Sequence, residues 1–304
     1  MGQANLFETD VARSMLDQLL DESRLYRTGA DHKNLLDFVV RLRNFAPFNA
    51  MLLEVQKPGL NHAASAQEWR DIFGRAIKAD ARPLLILWPF GPVALVYDVM
   101  DTEGDPLPEG VAAFSASGVM NQVALQRFAK LLAKRHIAWN YFDGGDRKAG
   151  YIERVTRSSD SDAPSIYRMN INQNHNPNIQ FATIAHELAH LYLGHLGKDK
   201  YLSIPDRPRQ SHDQQELEAE SAAYIVCARN GVSNKSESYL TNYVGKGTTS
   251  KQLDLYQIMR ATGQIEAVLS LTAHIKYSLP QFSTKWVQRD LYNDNDTSSQ
   301  EALF

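Results

Sequence analysis

Three histidines and one glutamate fall within the segment TIAHELAHLYLGH, residues 183–195, among mostly apolar residues. His186 and His190 are four positions apart, and Glu187 follows the first of them. On an α-helix, side chains four positions apart lie on one face, where two imidazoles can bind one metal ion. The pattern is H-E-x-x-H, in which the histidines bind zinc and the glutamate takes a proton from the zinc-bound water. The alternative is a pair of histidines packed in a helical core.

The residues around this motif predict the helix that it needs. Asn178 is a suitable N-cap, and Gly194 suits the left-handed position that follows a helix. We therefore expect a helix over residues 179–193. Its apolar residues recur at helical spacing, namely Phe181, Ile184, Ala185 and Leu188.

A catalytic zinc site needs a third protein ligand and an open position for water. The segment DQQELEAESAAYIVCARNG, residues 213–231, predicts a second helix, because Asp213 and Glu216 have capping-box spacing and a glycine suits its end. On this helix Glu216 and Glu220 share a stripe with small residues that allow close helix packing. Glu218 is expected to point toward solvent.

Two carboxylates on a packed stripe are costly unless a cation meets them, and this favours a glutamate as the third ligand. His195, just beyond the first helix, and His212, in a polar loop, are the alternative ligands. The longer pattern H-E-x-x-H-x-x-G-x-x-H is excluded, because it requires glycine and histidine where Leu193 and Leu196 stand.

The rest of the chain predicts an α+β protein of two domains. Helical periodicity continues to Pro47, and a hairpin of Leu84–Trp88 and Val93–Val99 follows. A segment rich in Gly, Pro and Ser, residues 102–118, is the expected linker. The second domain should contain a helix near 121–135 and strands near 137–141, 151–155 and 167–172. If Tyr167–Asn172 lies at a sheet edge, it could bind an extended substrate by strand addition.

Composition limits the class of protein. The 304 residues carry a formal net charge of -3, so that any binding to nucleic acid must use a local patch. The single cysteine, Cys227, agrees with a reducing cytoplasm, and we expect it to be a buried thiol. The N-terminus has no features of a signal peptide, and the longest apolar stretch, 83–97, is too short and interrupted to span a membrane. We therefore expect a cytoplasmic protein with no membrane partner.

The motifs HELAHLYLGH and ELEAESAAYIVCARNG resemble those of the ImmA/IrrE-type zinc metallopeptidases, and most closely the peptidase half of ArdC-like antirestriction proteins. The resemblance implies a zincin-like domain with zinc bound by His186, His190 and Glu216 and with Glu187 as the catalytic base. Glu220 stands where the family usually has asparagine. It is therefore expected to accept a hydrogen bond from a ligand histidine or to serve as an alternative ligand.

The first half is similar to the N-terminal domain of ArdC-like proteins, which binds single-stranded DNA. The similarity rests on FNAMLLEVQKPG, EWRDIFGRAIK and ILWP. Residues 32–82 also hold eight Lys or Arg against five acids, and aromatic residues beside arginines can stack on bases. The candidate DNA-binding residues are Arg41, Arg43, Trp69, Arg70, Arg75 and Lys78.

Together these observations predict a DNA-binding domain at 1–110, a metallopeptidase domain at 119–280 and a flexible tail at 281–304. The expected activity is zinc-dependent cleavage of a regulatory protein, such as a helix-turn-helix repressor, stimulated by single-stranded DNA or DNA damage. The context would be stress, phage defence or a mobile element. The alternative is an antirestriction protein that binds and protects single-stranded DNA without proteolysis.

Overall fold

The computed structural model describes residues 29–88, 91–107, 120–145, 148–156, 164–233 and 253–271. Helices and small separate sheets alternate along the chain, which confirms the predicted α+β class. The helices are α1 (Gly29–Arg41), α2 (Pro47–Gln56), α3 (Ala66–Asp71), α4 (Gln122–Ala133), α5 (Pro177–Tyr192), α6 (His212–Arg229) and α7 (Leu255–Val268). The strands are β1 (Ala63–Ala64), β2 (Arg75–Ile77), β3 (Leu84–Trp88), β4 (Gly91–Asp98), β5 (Thr102–Gly104), β6 (Ile137–Phe142), β7 (Gly150–Thr156) and β8 (Ile166–Asn172).

The first half contains the predicted hairpin, formed by β3 and β4, and β1 pairs with the other edge of β4. The start of the predicted linker is instead part of this half, because β5 pairs antiparallel with β2. The outer edge of β3 is closed by side-chain amides of α2. Asn49 donates to and accepts from the backbone of Leu87, and Gln56 does the same with Leu85. These amides satisfy edge groups that would otherwise be open to another strand.

In the second half, β6, β8 and β7 form a three-stranded sheet with β8 in the centre. β6 pairs parallel with β8, and β7 pairs antiparallel with it. The condition under which Tyr167–Asn172 could bind a substrate by strand addition is therefore not met, because strands on both sides occupy its backbone groups. The edge strand that packs against α5 is β7. Gly150 permits this approach, since a Cβ there would lie 2.6 Å from Thr183 Cγ2.

The helices α5 and α6, which contain the H-E-x-x-H motif and Glu216, begin slightly earlier than predicted. Asn176, and not Asn178, caps α5, and Pro177 occupies its first turn. Ser211 and Gln214 form the capping box of α6 in place of the predicted Asp213 and Glu216. The predicted pair is thus wrong by two positions, and the glutamate is left free of a capping role.

α6 is also held by the first half of the chain. His32 on α1 lies 2.9 Å from Ser221 Oγ through its Nε2, and the Tyr224 hydroxyl donates to Asp37. Arg229, whose side chain is fully buried, donates to Glu266 and to backbone carbonyl oxygens at the end of α1 and beyond. α1 therefore supports the helix that carries the candidate glutamate ligand.

The predicted domain limits at 1–110 and 119–280 remain a prediction. The tail at 281–304 lies outside the described residues. Within the described part of the chain, no helix has the length and apolar character needed to cross a membrane.

Candidate metal centre

α5 and α6 pack against each other and bring two histidines and one glutamate together. His186 and His190 are one turn apart on α5, with their Nε2 atoms 3.0 Å apart. Glu216, in the second turn of α6, places one carboxylate oxygen 3.6 Å from His186 Nε2 and the other 3.4 Å from His190 Nε2. The three side chains are partly exposed, between 14% and 29%. The cluster is thus open to solvent.

These three residues fit a zinc ion. Donor atoms about 2.0–2.1 Å from one ion at tetrahedral angles are separated by about 3.3–3.4 Å, close to the distances between these side chains. Two histidines with one carboxylate are also a donor set found in catalytic zinc sites. Burial and the neighbouring His186 and His195 lower the pKa of His190 to about 2, which keeps the imidazole in the neutral, metal-binding form.

Glu187 lies beside the cluster without belonging to the donor group. Its carboxylate accepts a hydrogen bond of 3.0 Å from the backbone nitrogen of Ile152 on β7. Burial raises the pKa of Glu187, although the charge of His186 and the Ile152 hydrogen bond act in the opposite direction. The edge strand therefore fixes a carboxylate next to the position where a metal ion fits.

Glu220 contacts the first histidine on the side away from the cluster. Its Oε1 is 3.3 Å from His186 Nδ1, while the Nε2 of that ring faces Glu216. Glu220 is therefore placed to accept a hydrogen bond from the ring of His186, one of the two roles considered for it. Such an acceptor orients a histidine whose other nitrogen binds metal.

The second histidine has a different partner. His190 Nδ1 lies 2.8 Å from His195 Nδ1, and His195 Nε2 lies 3.4 Å from Glu218 Oε2. The prediction that Glu218 points toward solvent is wrong, since the residue is 0% exposed. His195 is placed behind His190 and is not part of the donor group.

Glu218 is compensated by donors from two segments of the chain. Arg207 forms two hydrogen bonds with it, of 2.7 and 3.0 Å, and Gln210 and the backbone nitrogen of Asp254 contribute one each. Burial opposes ionisation of Glu218, yet the hydrogen bonds from His195 and Arg207 lower its pKa to about 2. The sequence offered no signal for Arg207, which lies in an irregular segment between the two helices.

Peptide hydrolysis also needs a hydrogen-bond donor for the oxygen of the reacting carbonyl group. The residues considered for this role are His212, Tyr192 and Tyr201. The His212 ring is 82% exposed, and its Nδ1 lies 3.7 Å from Glu216 Oε1, at the rim of the cluster. Tyr192 is buried, and burial raises the pKa of its hydroxyl to about 12. Tyr201 is exposed and its ring packs against His136. Of the three, His212 is the one placed beside a member of the cluster.

Two of the predicted DNA-binding residues are inside the protein. Trp69 is 0% exposed and donates its indole N–H to Tyr97, and Arg43 is 7% exposed and donates to Ala228. Their assignment to DNA contacts is wrong for this structure, because neither side chain can reach a strand of DNA from the core. Arg75 is half-buried, and its guanidinium bonds to Thr102 and to neighbouring backbone on β5.

The other three cations are at the surface. Arg41 and Lys78 are exposed, although each donates one hydrogen bond to a backbone oxygen, of Leu60 and Met100 respectively. Arg70 is 73% exposed and pairs with its neighbour Asp71. An exposed ion pair of this kind contributes little stability, and so its arginine is available to other anions.

The comparisons with known proteins concern both halves of the chain. Residues 148–228 match the Peptidase_M78 family, described as the IrrE N-terminal-like domain. No curated protein matches the chain significantly. Two solved structures of the antirestriction protein ArdC from the R388 plasmid are similar to it, each at 15% identity. The metal-free structure aligns over 74% of this chain and 82% of that chain with a TM-score of 0.35, and the Mn(II)-bound structure over 75% and 84% with a TM-score of 0.39.

At these TM-scores the similarity to ArdC carries no conclusion about this chain. The family match covers α5 and nearly all of α6, including the two histidines, Glu187 and Glu216. The recognition made from the sequence motifs is confirmed to that extent: residues 148–228 match the model of the IrrE N-terminal-like domain of the Peptidase_M78 family.

Proposed function

We propose that the protein is a zinc-dependent endopeptidase with His186, His190 and Glu216 as the metal ligands. The observation that supports this most is the set of three donor atoms at zinc-like separations with the Glu187 carboxylate beside them. Among the described residues the group has three donors, which leaves the fourth tetrahedral position for water. A zinc ion bound there would acidify that water and polarise the carbonyl of a peptide bond.

Glu187 is the proposed general base. Its carboxylate lies beside the cluster and, among the described residues, pairs with no charged side chain, while the Ile152 N–H holds one of its oxygens in place. The other oxygen is available to accept a proton from water and to return it to the leaving amine. A site with a purely structural role would have no need of this residue.

The substrate is proposed to bind as an extended segment along β7. This strand is the edge of its sheet, and through Ile152 it contacts the catalytic glutamate. Strand addition would bring the backbone of a bound segment to the same edge. The target must therefore offer a flexible segment, and a compact folded domain should resist cleavage.

We further propose that the substrate is a helix-turn-helix repressor and that single-stranded DNA stimulates its cleavage. This proposal rests on the family resemblance and on exposed cations of the first half, namely Arg41, Arg70 and Lys78. These cations can bind phosphates, and binding should weaken as salt increases.

The activity is tested by incubating the purified protein, loaded with zinc, with repressors encoded beside its gene. Wild type should cleave one of them in a segment between folded domains. Glu187→Gln should keep its zinc, because the side chain is not a ligand, and lose nearly all turnover. His186→Ala is the matched control, and it should lose both zinc and activity. Cleavage that persists in Glu187→Gln would refute this mechanism.

The DNA stimulus is tested separately with short single-stranded oligonucleotides. Arg70→Glu with Lys78→Glu should weaken both DNA binding and stimulation, and the difference from wild type should become smaller as salt increases, because the variant makes fewer phosphate contacts. Lys198→Glu is a control at an exposed lysine that pairs with Asp206 in the second half. Tight DNA binding without cleavage of any repressor would favour the alternative, an antirestriction protein that shields single-stranded DNA.

A further inference from the structure

We propose that His195 and Glu218 form a buried hydrogen-bonded chain that fixes His190 as a metal ligand, so that both are positioning residues of the metal centre. The inference rests on the proposed metal site and adds to it two residues outside the H-E-x-x-H motif. Carboxylates commonly contact a ligand histidine directly, as Glu220 does with His186. Here a second imidazole lies between the ligand and its carboxylate.

The distances show which group donates and which accepts in each hydrogen bond of this series. His190 Nε2 faces the cluster, and so its lone pair must point toward the metal and its proton must be on Nδ1. That Nδ1–H donates to His195 Nδ1 at 2.8 Å, which places the proton of His195 on Nε2. His195 Nε2–H then faces Glu218 Oε2 at 3.4 Å. Each imidazole is thereby held in one tautomer.

The hydrogen-bonded series from His190 through His195 to Glu218 is shielded from water. The side chain of His195 is 4% exposed and that of Glu218 is 0% exposed. A carboxylate in such a place is stable only with donors around it, and Arg207, Gln210 and the backbone nitrogen of Asp254 supply them. Because these donors belong to separate segments, Glu218 has little freedom to move away from His195.

The turn at the end of α5 makes this arrangement possible. Gly194 has a φ of +83°, and the following nitrogen, of His195, donates back to the carbonyl of His190. A Cβ at Gly194 would also lie 2.9 Å from the carbonyl oxygen of Pro205. The glycine therefore turns the chain so that the ring of His195 lies against His190 instead of continuing along the helix axis.

The expected consequence is tighter metal binding. An acceptor behind a ligand histidine orients the ring and increases the electron density on its metal-binding nitrogen, and its loss typically reduces metal affinity by about 10–100-fold. The negative charge of Glu218 acts on His190 through the imidazole of His195. Removing His195 leaves His190 free to rotate or to take the other tautomer.

The test measures zinc affinity by competition with a chromogenic chelator. His195→Ala should weaken zinc binding about 10–100-fold. His195→Asn should recover part of this loss, because its carbonyl oxygen can accept the His190 proton while the link to Glu218 is lost. Glu218→Gln should also weaken binding. If it fails to fold, the His195 variants still decide the question. His136→Gln, at an exposed histidine that packs against Tyr201, is the control and should keep wild-type affinity.

Thermal unfolding of the metal-free variants separates positioning from a general loss of structure. The inference is overturned if a folded His195→Ala keeps a zinc affinity within about threefold of wild type. It is also overturned if His195→Asn loses as much zinc affinity as His195→Ala. The failure of the metal site itself is distinguishable, because in that case His186→Ala would also retain zinc. If His186→Ala loses zinc and His195→Ala does not, the inference fails while the proposed centre stands.

Discussion

His32 should make the stability of this protein depend on pH. The residue is 4% exposed, and its Nε2 lies 2.9 Å from Ser221 Oγ, whose own proton is donated to the carbonyl of Leu217. Nε2 is therefore the donor of this pair. Burial lowers the pKa of His32 from 6.5 to about 4, with the charge of Glu218 acting in the opposite direction. The folded protein thus holds this histidine in its neutral form.

The sign and size of the effect follow from linkage. A histidine whose pKa is lower in the folded state takes up its proton on unfolding, and so stability falls as the pH drops below 6.5. Above that pH neither state binds the proton and the group has no effect. At about 1.36 kcal/mol per pKa unit, the full difference corresponds to on the order of 3 kcal/mol near pH 4, and to about 2 kcal/mol at pH 5.

The measurement is the free energy of unfolding in urea, at pH values from 7.5 to 5.0 and with a chelator present. His32→Gln keeps a donor near Ser221 but cannot titrate. The difference between wild type and His32→Gln should change by about 2 kcal/mol over this range, with wild type losing more stability on acidification. Ser221→Ala serves as a control, because it loses the hydrogen bond but keeps the buried imidazole. A difference that is constant with pH would refute the reasoning.

Other predictions concern packing and buried charge. Arg229→Met leaves Glu266 buried without its partner and should cost about 3–5 kcal/mol in urea unfolding, whereas Arg229→Met with Glu266→Met should cost less than the single change. If the single and the double variant lost the same free energy of unfolding, the buried Arg229–Glu266 pair would not explain the cost of Arg229→Met. Gly150→Ala places a methyl group against Thr183 on α5 and should cost about 1–3 kcal/mol and weaken zinc binding. Gly263→Ala is its control, since apart from the adjacent residues and the nearby backbone of its own helix no atom lies within 4 Å of the added carbon, and alanine favours the helix.

The helices of the candidate site could be predicted from the sequence because their signals are local. Helical spacing places His186 and His190 on one face, and the glycine at 194 ends the helix with a positive φ. The same spacing put Glu216 and Glu220 on one side of α6, and both lie against His186 in the structure. These relations depend on the geometry of single helices, which the order of residues already determines.

Tertiary structure decided what surrounds these helices. Glu218 looks like a surface residue by helical spacing, but the segment after α5 returns across that face of α6 and brings Arg207 and His195 to it. Likewise, β8 became the central strand only because β6 and β7 joined it from opposite sides. Helical periodicity gives the direction of a side chain from its own helix axis. What packs there, whether water, a cation or another strand, depends on contacts between residues far apart in the chain.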